Sequence, residues 1–251
     1  ATSWVEHARR YAEAMTQRFA LGPQSLVVEV ASNDGYLLQH FKTAGIGVLG
    51  VEPAANVAAV AVEKGIPSEV AFFNRETAGR LRAAGKAADL MAANNVMAHV
   101  PELNEFISGF AVLLKPQGVL TVEFPHLLNL IEQVQFDTIY HEHYSYLSLL
   151  AAEKIFAAHG LRVFDVEELP THGGSLRLYV CHRAADHADA IGLARVRKKE
   201  AAAGLDTLAA YDNFAPRVAT VRDELRGFLM AAKADGRMVC AYGAAAKGNT
   251  L

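Results

Sequence analysis

The sequence predicts an α/β protein built on a doubly wound, mostly parallel sheet, with an antiparallel edge and a C-terminal helical connector. Three observations carry that expectation. Residues Leu26 to Leu38 read as a buried strand, a turn of small and polar residues, and the start of an amphipathic helix. A second apolar run, Ile46 to Val51, follows after one helix length and ends in an acid, Glu52. Strand-like runs then keep alternating with helical patterns to about residue 165, an order that builds a parallel sheet with helices on both faces.

Composition narrows the class. The 251 residues are 52% hydrophobic and 20% charged, enough apolar material for a soluble core, and the length permits one large domain or one domain plus part of another. A formal net charge of -3 gives no broad attraction for polyanions, so no nucleic-acid partner is expected. Cys181 and Cys240 lie far apart and make neither a disulfide framework nor a metal quartet, so no metal site is expected. No signal peptide or membrane span is legible, which makes the cytoplasm the expected location. No feature sets an oligomeric state. The chain begins at Ala1 rather than Met and stops at Lys247-Gly248-Asn249-Thr250-Leu251, so both ends read as cut from a longer protein.

Taken in order, Trp4 to Phe19 places Val5, Ala8, Tyr11, Ala12, Met15 and Phe19 at helical spacing, and Gly22-Pro23 ends that helix before the first strand. The turn after the strand, Glu29-Val30-Ala31-Ser32-Asn33-Asp34-Gly35, brings backbone NH groups close enough to cradle a nucleoside-like ligand. A dinucleotide fingerprint has three glycines there; this turn has only Gly35, a poor fit to a pyrophosphate. The amino-acid tail of S-adenosylmethionine instead calls for polar groups and an acid, which Glu29, Ser32, Asn33 and Asp34 supply. Glu52, followed by Pro53, is placed to accept both ribose hydroxyls, a use that an NAD enzyme would share.

Beyond that acid, Asn56 to Glu63 reads as a helix, Val70 to Phe73 as a short strand and Arg75 to Ala84 as a helix; Phe72 or Phe73 could wall an adenine. Ala88 to Ala93 is the fourth strand and delivers Asn94-Asn95-Val96-Met97-Ala98-His99-Val100-Pro101 to the ligand-binding end of the sheet. There Asn94 or Asn95 can donate and accept, and His99 can orient the loop. A helix over Glu102 to Leu114 and a fifth strand, Gly118 to Glu123, follow.

The densest chemistry comes next, in Tyr140-His141-Glu142-His143-Tyr144-Ser145-Tyr146. A zinc helix wants its two histidines four apart, so this His-Glu-His order does not suit a metal, whereas a histidine near its ordinary pKa suits a general base. After a helix over Ser148 to Ala158, the runs Leu161 to Leu169 and Thr171 to Val180 read as an antiparallel pair at the sheet edge. Arg177 there could meet a phosphate or carboxylate, or form a plain salt bridge. Two helical patterns, Asp186 to Ala210 and Ala215 to Asp235, form the connector, and its charged run reads as a solvated face. Arg237 to Thr250 restarts a strand and small-residue turn, with Lys247 able to hold phosphate. The expected division is a cofactor domain over 1–182, the connector over 183–235 and the start of a further αβ domain over 236–251.

Taken together, these motifs resemble the S-adenosylmethionine-dependent C-methyltransferases of deoxysugar biosynthesis, which have a Rossmann-like class I methyltransferase domain. The resemblance rests on the 29–35 turn, the 94–101 segment, the 140–146 cluster, Thr171-His172-Gly173-Gly174-Ser175-Leu176-Arg177 and the terminal Gly243 to Asn249. It implies that a base removes a proton beside the ketone of a nucleotide-linked 4-keto sugar and that the resulting enolate takes the methyl group, leaving S-adenosyl-L-homocysteine. His143 then looks like the base, Tyr140 and Glu142 like its supports, and Tyr144, His172, Arg177 and Lys247 like substrate contacts. Members of that family also carry a zinc-binding N-terminal region and a C-terminal αβ domain. The resemblance implies that a chain without them binds cofactor yet turns over poorly or not at all. A small-molecule O- or N-methyltransferase and an NAD-dependent sugar-nucleotide oxidoreductase are the alternatives.

Overall fold

The computed structural model describes residues 2–240, with side chains from Trp4 onward, so Lys247 and the Gly243 to Asn249 turn lie outside the described residues. The amphipathic run at the start folds as α1 (Thr2–Arg18), whose stripe of Ala8, Tyr11, Ala12 and Met15 is buried. There follow β1 (Leu26–Val30), α2 (Leu38–Thr43), β2 (Gly47–Val51), α3 (Ala55–Glu63), β3 (Ser68–Glu69), α4 (Arg75–Ala83) and β4 (Ala88–Asn94). The second half supplies α5 (Leu103–Leu113), β5 (Leu114–Pro125), α6 (Leu127–Glu132), α7 (Leu149–Ala158), β6 (Leu161–Leu169), β7 (Ser175–His182), α8 (Ile191–Ala202) and α9 (Phe214–Ala234).

The strands form one sheet in the order β3-β2-β1-β4-β5-β7-β6. β1 to β5 pair in parallel, and β7 runs antiparallel between β5 and β6. Because side chains alternate along a strand, Val27 enters a core layer with α1 and α2, while Val28 and Val30 enter the opposite layer with α4, α5, α7 and α8. Strand order reverses between β1 and β4, and in open parallel sheets that switch point is where a ligand crevice lies, outside the carboxyl ends of the strands.

Several elements depart from expectation. The third strand is Ser68–Glu69 rather than Val70 to Phe73. Phe73 leaves the sheet to pack its ring 4.8 Å from Phe110 and 5.8 Å from Phe106, and Asn74 caps α4 by accepting from Thr77 N at 2.8 Å. A six-residue helix, α6, occupies a stretch to which no element is assigned from the sequence. The first helix of the expected connector starts at Ile191, not Asp186, and seats Leu193, Val196 and Glu200 in the core. Of the charged run expected to be a solvated face, Arg195 and Lys199 reach Glu168 and Arg197 reaches Glu153 at the surface, whereas Glu200 is buried, its carboxylate taken by His126 and the start of α7. By contrast, α9 has no buried residue. No helix among the described residues is long and apolar enough to cross a membrane.

Candidate active site

The turn after β1 is held open by backbone geometry. Ala31 (φ 56) and Asn33 (φ 53) sit in the left-handed region, which costs L-residues roughly 1 kcal/mol or more each. Hydrogen bonds fix them there: Ala31 N and Ser32 N both donate to Val51 O, at 2.8 and 3.3 Å, and Asn33 N donates to Glu52 Oε2 at 3.0 Å. Glu52 accepts a second amide, Ala54 N, through Oε1 at 2.9 Å, so its carboxylate ties the first turn to the tip of β2. Gly35 (φ 75) has no room for a side chain, since a Cβ there would stand 2.4 Å from Ile66 Cδ1. Outside the turn, Lys64 pairs with Asp34 at 2.6 Å. Pro53 is exposed at the rim.

Inside the crevice the polar atoms are short of donors. Glu29 is 2% exposed and its Oε2 has no partner, and Asn94 Oδ1 and Asn95 Oδ1 are buried and equally unsatisfied. Burial, then the charges of Asp34 and Glu52, push the Glu29 carboxyl well above the usual carboxylate range. Buried acceptors without partners are uncommon and expensive, and these three belong to the carboxyl ends of neighbouring strands, β1 and β4. They fit a ligand rich in NH donors with a positive charge, which is what the ammonium and adenine amino groups of S-adenosylmethionine offer. Ser32 is fully buried, with Oγ 2.4 Å from where a Cβ on Gly50 of β2 would lie, and that hydroxyl likewise has no hydrogen-bond partner. Phe73 is spent on the Phe106–Phe110 cluster, and the exposed neighbour is Phe72.

The 94–101 segment carries the tyrosine-histidine cluster on its back. Ala98 O accepts from Tyr144 N at 2.8 Å and Ser145 N at 3.3 Å, and His99 Nδ1 donates to Glu142 O at 3.0 Å. His143 sits at the centre, its ring 4.5 Å from Tyr140, 4.7 Å from His99 and 5.8 Å from Tyr146. His143 Nδ1 lies 2.9 Å from Thr138 O; a carbonyl only accepts, so that nitrogen carries the hydrogen and a neutral ring has its lone pair on Nε2. Partial burial, then the Glu142 charge, raise the Tyr140 phenol above its ordinary pKa, which keeps it a proton donor at neutral pH. His141 and Glu142 are exposed, and it is the backbone of Glu142 that His99 holds.

The expected substrate contacts are spread out. Tyr144 is exposed on the same loop. His172 (φ 53) is also exposed and lies with its ring 5.3 Å from Trp4 of α1. Arg177 is 4% exposed and committed to carboxylates: Glu123 Oε2 at 3.0 Å and Glu167 Oε2 at 2.8 Å, with the guanidinium 4.9 Å from the centre of the Tyr11 ring. Of the two uses the sequence allows, this geometry favours the salt bridge. Two residues with no expected role lie beside the candidate residues. Tyr36 has its phenol pushed up to about 12 by burial and then by Glu29, Glu123 and Asp34, which places it among the acids at the ends of β1 and β5. Tyr146 packs on His143. Their signal was position, one directly after Gly35 and the other three residues after His143. Among the described residues, no group of three or more His, Cys, Asp or Glu is arranged to hold a metal.

Comparison with known proteins agrees with this geometry. A family model described as a methyltransferase domain matches residues 4–166, and one described as a C-methyltransferase C-terminal domain matches 170–251. The chain is 38% identical over all 251 residues to C-methyltransferase NovU of Streptomyces niveus and spans 60% of that protein's length. It is 25% identical over 117 residues to a ubiquinone biosynthesis O-methyltransferase of Rhodopseudomonas palustris, covering 44% of this chain and 46% of that one. The fold is shared with magnesium protoporphyrin IX methyltransferase of Synechocystis PCC 6803, solved with bound S-adenosylhomocysteine, at a TM-score of 0.56 and 16% identity over 72% of this chain and 84% of that one. The chain therefore belongs to the methyltransferase domain family and has the fold of enzymes crystallised with S-adenosylmethionine or its demethylated product.

Proposed function

We propose that this chain contains the cofactor-binding and base-bearing part of an S-adenosylmethionine-dependent C-methyltransferase acting on a nucleotide-linked 4-keto-deoxysugar. The observation that carries the reading is the Nδ1 hydrogen of His143 on the Thr138 carbonyl, which leaves Nε2 as a proton acceptor. Whole-chain identity to a C-methyltransferase supports carbon as the methylated atom. The O-methyltransferase relative covers less than half of the chain at lower identity, which makes O-methylation the second reading.

When bound, S-adenosylmethionine supplies a sulfonium methyl, the electrophile of the reaction. Glu29 and the carbonyls of Asn94 and Asn95 would receive its donors, Glu52 its ribose hydroxyls, and the exposed ring of Phe72 is better placed than Phe73 to border the adenine. His143 Nε2 removes the proton from the carbon beside the ketone. Tyr140, kept protonated, donates to the oxygen on which negative charge then develops. His99 holds the loop through Glu142 O, so its role is to orient rather than to exchange protons. Tyr144 and His172 are proposed substrate contacts, as is Lys247, and Arg177 serves as an internal ion pair.

Two measurements on the full-length protein test the reading. Calorimetry should show uptake of S-adenosylhomocysteine and none of NAD; the reverse pattern overturns the cofactor assignment. With a carbon-13 methyl donor, the product's methyl signal should couple to carbon, and a methyl on oxygen would establish the second reading.

A further inference from the structure

We propose that Glu200 is a positioning residue for the reaction: from α8 it pins the end of the segment that carries Tyr140 and His143. The side chain is 3% exposed, and its carboxylate gathers three donors from two other elements. Oε1 accepts from His126 Nε2 at 2.7 Å and from Leu149 N at 2.6 Å, and Oε2 accepts from Leu150 N at 2.8 Å. The NH groups of Leu149 and Leu150 open α7 and have no partner within the helix, so a carboxylate there also meets the positive end of its dipole. Ser148 completes the cap by accepting from Ala151 N at 3.1 Å.

This junction matters because of what leads into it. Leu147 O accepts from Leu127 N at 3.0 Å, and His126, 2% exposed, bridges in parallel to Leu147. His126 also donates its backbone NH to Gly174 O at 3.0 Å, which ties in the turn after β6. The catalytic segment is thus held at three places: Thr138 O by the His143 ring, Ala98 and His99 in the middle, and Glu200 with His126 at its exit. Only the last anchor comes from α8, which lies inside the 170–251 match, whereas His143 lies inside the 4–166 match. Glu200 therefore couples the two. A shift of about 1 Å at a reacting group can cost about 100-fold in rate, so a carboxylate that holds Leu149, six residues beyond His143, can act without touching substrate.

The test uses the full-length protein. Glu200→Gln keeps the side chain's size but turns an amide NH2 toward at least one of three donors. Exchange of the Tyr144 and Ser145 amides should accelerate about tenfold. Deuterium wash-in from D2O into a nucleotide-linked 4-keto-deoxysugar should fall about 10- to 100-fold, while affinity for S-adenosylhomocysteine stays within about twofold of wild type. Should Glu200→Gln fail to fold, His126→Leu and His126→Gln take its place: Leu removes the donor and should loosen the segment, and Gln offers an NH of similar reach and should restore both readouts. Loop amides and wash-in equal to wild type in Glu200→Gln, or in His126→Leu, overturn the proposal.

The inference rests on the reading of His143 as the base, and the two fail separately. Faster loop amides with normal wash-in in both Glu200→Gln and His143→Ala would remove the catalytic reading and leave the anchor. The same result with His143→Ala inactive would overturn the positioning role.

Discussion

His143 gives its Nδ1 hydrogen to the carbonyl oxygen of Thr138 across 2.9 Å. The acceptor is backbone, so no side-chain substitution at position 138 removes it, and the tautomer is written into the fold. His143→Ala and His143→Gln should each slow deuterium wash-in beside the substrate ketone by about 100- to 10,000-fold, the range of a lost general base. Affinity for S-adenosylhomocysteine should hold, because the proposed cofactor contacts come from the ends of β1, β2 and β4. Wash-in at the wild-type rate in either variant removes His143 from the base role.

In the proposed site, Glu29 would set cofactor affinity against stability. Its carboxyl is pushed well above the usual range by burial, then by Asp34 and Glu52, so the folded state holds a proton that the unfolded chain releases near pH 4.5. As pH rises from there through the raised folded value, the native state binds more protons than the unfolded one, and stability falls across that window. Glu29→Gln cannot ionise. Its ligand-free form should therefore be the more stable one above the window and lose its advantage toward the acid side, as read from urea midpoints at several pH values. The same variant should bind S-adenosylhomocysteine more weakly, because it cannot give up a proton to form the carboxylate that would meet the ammonium in the proposed site. A stability gain with undiminished affinity would place the amino-acid tail elsewhere.

Why was so much of the fold legible, and less of the site? Strands such as Leu26–Val30 and Ala88–Asn94 are buried on both faces and bounded by glycine or polar turns, so local pattern and tertiary fate agree. Phe73 was ambiguous because an apolar ring suits a ligand wall and a core equally; only the approach of Phe106 and Phe110, more than 30 residues away, decides it. Ser32 is a related case. Its place in the turn says nothing about which way its side chain points, and only the structure shows its unpartnered hydroxyl seated beside Gly50, where there is no Cβ. Glu200 left no local trace, since a glutamate in a charged helical run reads as solvated until His126 and the start of α7 are brought to it.

The turn itself can be tested through Gly35. Gly35→Ala places an L-residue at φ 75 with its Cβ 2.4 Å from Ile66 Cδ1, two separate penalties that together should cost about 1–3 kcal/mol in urea denaturation. Ile66→Val removes the clashing methyl and by itself should cost about 0.5–1.5 kcal/mol. Combined, the two should be less destabilising than their sum, the shortfall measuring the steric part and the remainder the backbone strain. Strict additivity would mean that the turn relaxes away from Ile66.

Arg177 distinguishes an ion pair from a ligand contact. It lies 3.0 Å from Glu123, whose fully buried carboxylate also meets the Thr171 hydroxyl at 3.2 Å and His7 at 3.6 Å. Burial works against the guanidinium charge, and the Glu123 and Glu167 carboxylates outweigh it, holding Arg177 protonated. Arg177→Met strands the Glu123 charge in the core, which should cost about 3–5 kcal/mol, whereas Arg177→Met with Glu123→Gln removes both charges and should recover most of that loss. Recovery in the double variant, with cofactor and nucleotide-sugar affinities intact, makes the pair a device of the fold. If Arg177→Met leaves the urea midpoint unmoved and weakens nucleotide-sugar binding instead, the guanidinium serves the substrate.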